Sequence, residues 1–268
     1  MTGQDVTTEL DGNVLVMRLA RPETMNAIGP TTLASIAECL RTADENDDVH
    51  VVVTLADGPG WCAGADLAML QSLETSGPDK MFHANAGSGA RERVVDRMGP
   101  GRHALTMWDF PKPWIAAVNG AAAGGGVGLC LLHDFAFAAR SAVFTTAFTR
   151  IGVAVDMGLS FTLPRAIGPQ AAADLLYTSR VVDATEALEL GLVRAVVDDD
   201  ALVEHTMAYA HKLARRPPIG VQATKLALRR FDRERLVQHL EFEWPTQIEA
   251  FRSPDVHARI RAMLSGGQ

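Results

Sequence analysis

The sequence predicts an α/β fold, with helices crossing over a largely parallel sheet, followed by an all-helical C-terminal region. Two strand-length β-branched runs, "VLVMRLA" (14–20) and "VHVVVTLA" (49–56), flank "TTLASIAECLRTADEN", where Leu33, Ile36, Ala37, Leu40 and Ala43 recur at helical spacing. The alternation returns in "PWIAAVNGAAAGGGVGLCLLHDFAFAA": a strand over 114–118, a glycine-rich turn, a helix from about Val127 to His133, and a strand near 135–139. Strands alternating with helices in this order indicate crossover connections and parallel pairing. Beyond residue 201 every segment reads as helix.

Between these blocks, residues 75–101 carry five glycines and two prolines with little apolar periodicity, which reads as a mobile segment with room for one short helix and fits a plain surface insertion or a lid or pocket wall about equally. "DATEALELG" opens with a capping box, Asp183 with Glu186, and stops at Gly191. The helical region divides into "ALVEHTMAYAHKLARR" up to Pro217-Pro218, "VQATKLALRRF", "ERLVQHLEFEW", and "SPDVHARIRAML" with Ser253 as cap and Pro254 in the first turn. A core domain over 1–200 and a helical region over 201–268 are therefore expected. Phe242, Trp244, Phe251 and the leucines exceed what a thin helical layer can hide, so packing against a neighbouring subunit is expected.

Composition excludes several function classes. The 268 residues carry a formal charge of -7, and the basic residues are spread, so there is no field for a nucleic-acid backbone. Cys39, Cys62 and Cys130 are odd in number and form no close pair, which argues against a disulfide framework or a zinc site and suits a reducing cytoplasm. Neither an export signal nor a membrane span is evident.

The chemical question lies in "TRIGVAVDMGLSF" (149–161), where Asp156 stands in an apolar, glycine-broken run. A buried carboxylate needs donors or takes a raised pKa, so Asp156 is either a cap on the following helix or a general base. Two other stretches could serve developing negative charge. "GWCAGADL" (60–67) follows a strand, and in "NGAAAGGGVGL" (119–129) Gly124, Gly125 and Gly126 lead directly into a helix, whose N-terminal N–H groups attract anions. No Lys-Ser/Thr follows the glycines, and no acidic residue stands where a dinucleotide fold would need it. His133-Asp134 reads as backbone-bonded at a helix-to-strand turn. Cys62 and Cys130 read as buried hydrophobes, and Ser160 and Thr162 have no spaced His/Asp partners.

Taken together, "RPETMNAI" (21–28), "WCAGADL" (61–67), "VNGAAAGGGVGL" (118–129), "FTRIGVAVDMGLSFTLPRAIG" (148–168) and "ALELGLVRAVV" (187–197) resemble the crotonase, or enoyl-CoA hydratase/isomerase, superfamily from about Val14 to Val197. The resemblance implies a spiral of ββα units, a C-terminal helical trimerisation region, and trimers or dimers of trimers. It also implies a coenzyme A thioester as ligand, with no metal or redox cofactor. Carried over by position, the N–H groups of Ala65 and Gly125 would form an oxyanion hole. Met25, Ala63, Asp66 and Leu67 would line the coenzyme A path, mostly through backbone, and Phe144, Phe148 and Gly128 would belong to the acyl pocket, along with residues 80–110.

Hydratases of this superfamily resemble one another in two glutamates that hold and activate water. Their positions here are Gly128 and Phe148. Losing both removes the usual machinery for adding water across a double bond. Asp156 stands where single-acid isomerases, including the phenylacetate-pathway type, place their acid, so the resemblance implies an isomerase with Asp156 as proton shuttle. A hydratase with a different acid set remains open. So do a 4-chlorobenzoyl-CoA dehalogenase-like enzyme, with His83 or His103 assisting, and a silent acyl-CoA binder. Asp96, Glu92, Arg91 and Arg93 could bring a second acid or charge, though a solvated face is their plainer reading.

Overall fold

A computed structural model describes residues 5–72 and 98–265; the insertion called at 75–101, with His83, Glu92 and Asp96, lies almost wholly outside them. The main sheet has six strands: β1 (Val6–Asp11), β2 (Val14–Leu19), β3 (Val51–Ala56), β5 (Trp114–Val118), β7 (Phe135–Ala139) and β10 (Ala195–Val197), in that spatial order. Only the β1–β2 pair is antiparallel. A second sheet holds β4 (Gly60–Cys62), β6 (Ala121–Ala123), β8 (Val143–Thr145) and β9 (Val182–Asp183), the first three parallel. Each unit thus sends one strand to either sheet before its helix, as the resemblance implied.

The central strands are nearly all apolar because both faces are covered. Val14, Val16, Val51, Val53, Ile115 and Phe137 pack beneath helix Leu202–Ala214, while Met17, Val52, Trp114 and Ala116 join the larger core on the opposite face. The helices beyond residue 201 therefore do not stand apart from the core. Helix Leu202–Ala214 covers the sheet, and its end accepts a hydrogen bond from His50 Nδ1 at Ala214 O (2.9 Å). The two helices expected over 221–231 and 234–244 are one, Pro218–Phe251, which passes through Pro245 without ending.

The two capping expectations fare differently. Asp183 caps helix Ala184–Leu190 as its sequence predicts, accepting from Glu186 N–H. Ser253 precedes Pro254 in extended conformation but makes no side-chain cap bond. Strand β1 was not foreseen; its burial runs from one buried residue into five exposed ones, so it lacks the apolar alternation that marks a strand. Its hairpin signal was the Asp11-Gly12 turn, with Gly12 at φ +58°.

Candidate active site

The site forms where the ends of β4 and β6 meet. After β4 the chain turns through Gly64 (φ +84°), and after β6 through Gly124 (φ +51°) into helix Gly125–Leu132. The two turns touch backbone to backbone. A Cβ on Gly126 would collide with the Cys62 carbonyl oxygen, and one on Gly64 would stand 2.6 Å from that of Ala123. These glycines permit close approach, and the approach brings the Ala65 and Gly125 segments to one cavity of about 690 Å³. Neither the Ala65 nor the Gly125 N–H has a backbone partner among the described residues. Gly125 is the first residue of its helix, where the N–H is left open by geometry.

A polar clamp sets the first of these turns. Arg21 Nη2 donates to Asp66 Oδ2 at 2.6 Å and Nη1 to Ala27 O at 2.8 Å. Ile28 N–H bonds Gly64 O and Asp66 N–H bonds Ile28 O, pairing the "RPETMNAI" loop with the turn. Asp66 Oδ1 accepts from Ala68 N–H at the start of the helical segment that begins at residue 67. Its carboxylate is thus occupied as an organiser and is not presented to the cavity. Met25, half-exposed at φ +50°, accepts from Ala63 N–H through its carbonyl and does not line the cavity, whereas Ala63 and Leu67 do.

Asp156 lines the same cavity, as do Phe148 and Met157. Its Oδ1 would be 3.9 Å from a Cβ on Gly125, and this atom is buried with no hydrogen-bond partner among the described residues. Oδ2 accepts one long bond, 3.3 Å, from Gln247 Nε2. Burial, and next the charge of Glu243, push its pKa up to about 7 against the pull of the Gln247 bond. The cap reading of this carboxylate fails: the cap on helix Leu159–Ile167 is Glu243, whose Oε2 accepts from Gly158 N–H (2.8 Å) and Oε1 from Ser160 N–H (3.0 Å).

Two pocket expectations fall outside the cavity. Phe144 is fully buried in β8, pointing into the core because alternate strand residues face opposite ways. Gly128 is covered by Met157: a Cβ there would sit 2.7 Å from Met157 Cβ. Met157 is held at φ +58°, a costly conformation for a side-chain-bearing residue, and its bulk takes the space a residue-128 carboxylate would need. Gly128→Glu is accordingly expected to destabilise the protein by a few kcal/mol through overpacking and to gain no measurable hydration of crotonyl-CoA, as thermal melts and an absorbance assay would show. Phe148, at the second position, does line the cavity.

The other candidates are structural. His133 bonds Leu129 O through Nδ1 and Thr54 Oγ1 through Nε2, stacks on Trp114, and is pushed down to about 3 by burial. Asp134 holds Lys225 and Arg229, each at 2.7 Å. Burial pushes the Cys62 thiol up to about 11 and that of Cys130 to about 12. Ser160 Oγ does meet a histidine, His239 Nδ1 at 2.8 Å, 79 residues away and outside the cavity lining. Sequence reasoning missed Trp244, Gln247 and Phe251, which close the cavity from helix Pro218–Phe251. Trp244 and Phe251 had been noted as surplus apolar residues, but nothing local aimed them here. No group of three or more His, Cys, Asp or Glu suited to a metal ion occurs among the described residues, and none of their helices is long and apolar enough to cross a membrane.

A family model described as enoyl-CoA hydratase/isomerase matches residues 9–264. The chain is 31% identical over 260 residues to 1,2-epoxyphenylacetyl-CoA isomerase of Escherichia coli (strain K12), covering 97% of this chain and 95% of that protein. It is 35% identical over 225 residues to (E)-benzylidenesuccinyl-CoA hydratase of Thauera aromatica, covering 83% and 81%. Among solved structures it resembles an enoyl-CoA hydratase/isomerase from Pseudoalteromonas atlantica T6c, with TM-score 0.84, 28% identity and 98% of each chain covered. It is likewise similar to an enoyl-CoA hydratase from Bacillus halodurans, with TM-score 0.85, 26% identity, and 96% and 99% covered. With this match over nearly its whole length and a fold of the same ββα spiral, the chain belongs to the crotonase family of enoyl-CoA hydratases and isomerases.

Proposed function

We propose that this crotonase is an acyl-CoA isomerase that moves a 3-enoyl double bond into conjugation, with Asp156 as the proton shuttle. The observation that carries the reading is the Asp156 carboxylate, short of donors beside Gly125 on the cavity wall, while the two hydratase carboxylate positions hold Gly128 and Phe148. In the proposed reaction Asp156 removes a proton from carbon 2 of the thioester. The electrons of that C–H bond pass to the carbonyl oxygen, giving a dienolate whose charge rests on the N–H groups of Ala65 and Gly125. Asp156, now protonated, returns the proton at carbon 4, which restores the carbonyl and leaves the double bond between carbons 2 and 3. A group with a pKa near 7 suits both halves of this exchange. Ala63 and Leu67 of the cavity lining would receive the coenzyme A portion.

The test follows the ultraviolet absorbance of 3-hexenoyl-CoA with the purified protein, beside crotonyl-CoA as a hydration control. Conjugation of the first and inertness toward the second support the reading; water addition to crotonyl-CoA would transfer it to hydratase chemistry, the activity named for the Thauera aromatica relative. We also propose a homotrimer or a dimer of trimers, in a cytoplasmic setting. Ile219, Leu226, Leu228, Phe231 and Phe242 are all more than half exposed along one long helix, more apolar surface than a monomer usually leaves open. Sedimentation equilibrium is expected to return three or six times the monomer mass, and a monomer would overturn this assignment.

A further inference from the structure

We infer that Glu243 and Gln247 are positioning residues for Asp156, Glu243 opposing its ionisation and Gln247 supporting it. The inference rests on Asp156 being the base, and its test is chosen to read out without turnover. Glu243 and Gln247 stand one helical turn apart on helix Pro218–Phe251, both buried, and both act on the same five-residue segment, 156–160.

Their actions differ in sign. Glu243 accepts two backbone N–H bonds at the start of helix Leu159–Ile167, where the helix dipole also favours a negative charge. Asp156 has no such donors at Oδ1 and a single long bond at Oδ2. Of two carboxyls set against one short segment, the one with more hydrogen-bond donors stays ionised and the other takes the proton. Burial raises the Glu243 carboxyl as well, but its bonds to Gly158 and Ser160 pull it back down, so Glu243 is the charge and Asp156, short of such donors, is the group that responds to it. The Gln247 amide donates to the ionised form of Asp156 and holds the carboxyl plane in place.

Other charged or titratable groups face the same region. Arg102 and His103 line the cavity from helix Gly101–Asp109. Arg150 lines it from helix Phe148–Ile151, with its guanidinium on Ser179 O at 2.9 Å. Cys130 lies on helix Gly125–Leu132, His239 binds Ser160, and Arg259 approaches Gly152 while paired with Asp255. None of these is altered in the variants below, so their contribution is common to every comparison.

Urea unfolding would be measured across pH 4–9 for the full chain with and without Asp156→Asn, in the parent, Glu243→Gln and Gln247→Met backgrounds. The difference within each pair reports the proton affinity of Asp156 whether or not the protein turns anything over. Glu243→Gln removes the like charge and keeps one acceptor, so the Asp156 transition is expected to move down by on the order of one pH unit. Gln247→Met removes a donor, so it is expected to move up by roughly half a unit. Shifts of opposite sign support the inference, and the acid limb of kcat/KM should follow them. No shift in either background, or two shifts of one sign, overturns it. If Glu243→Gln does not fold, the sign of the Gln247→Met shift decides alone. Opposite shifts in a protein that leaves 3-hexenoyl-CoA unchanged would uphold the positioning roles and sink only the isomerase reading.

Discussion

Asp156→Asn is expected to lower kcat for a 3-enoyl-CoA by about 100 to 10,000-fold, the usual worth of a positioned acid or base, while making the protein more stable above pH 7. The two effects have one source. Burial and the charge of Glu243 hold the Asp156 pKa near 7, well above its unfolded value, so the folded state favours the protonated carboxyl. A raised pKa contributes stability that is fully present below the unfolded value and is lost as pH rises through about 7. Above pH 7 the parent carries an ionised, poorly solvated carboxylate, and the neutral amide does not. At about 1.4 kcal/mol per pKa unit the ceiling is about 4 kcal/mol, and partial exposure of Asp156 to the cavity reduces this to about 2. The gain should shrink as pH falls from 7 toward 4, where the parent takes up its own proton. Catalysis needs the opposite form. In the parent, kcat/KM should fall tenfold per unit below about pH 7, since only the carboxylate can accept the carbon 2 proton. Urea melts at pH 6 and pH 8.5 on both proteins would decide: an Asn variant no more stable at pH 8.5 would mean that Asp156 is adequately solvated, which removes the physical basis for calling it a poised base.

The parts of this site that were legible in the sequence are those whose cause is local. Close approach of two turns demands glycine at Gly64 and Gly126, so the demand is visible as "AGAD" and the glycine triplet. An acid in an apolar run is conspicuous wherever it lies, as Asp156 was. The central strands declared themselves because both faces are buried, and edge strand β1 did not because it buries almost nothing. What stayed hidden acts across distance. Glu243 and Gln247 reach the 156–160 segment from 85 and 91 residues away. On their own helix, within "HLEFEWPTQIEAF", they read as ordinary polar positions. The same blindness left a helix cap open as a reading of Asp156, when a carboxylate from another element already fills that role. Phe144 and Phe148 were placed together as pocket residues for want of a face assignment, and only Phe148 turns toward the cavity.

Gly64→Ala is the second large effect, expected to reduce turnover by about 100 to 1000-fold while leaving Asp156 untouched. Gly64 is held at φ +84°, so any Cβ there costs about 1–2 kcal/mol from conformation alone. The added methyl would also lie 2.6 Å from the Ala123 carbonyl oxygen, a backbone atom between the β6–β8 pairing and the Gly124 N–H bond to Thr145 O. With no flexible side chain to yield, the turn must move, and Ala65 N–H moves away from Gly125 N–H. Gly191→Ala separates the two costs: Gly191 has the same φ of +84°, but its Cβ would make ordinary contact, 3.4 Å from Ala166 O, away from the cavity. That variant should lose about 1–2 kcal/mol and keep its kcat, whereas Gly64→Ala should lose more stability and nearly all turnover. Equal losses of stability with kcat preserved in both would show that the backbone contact between the two turns does not set the distance between the N–H donors, and the oxyanion assignment to Ala65 and Gly125 would fall with it.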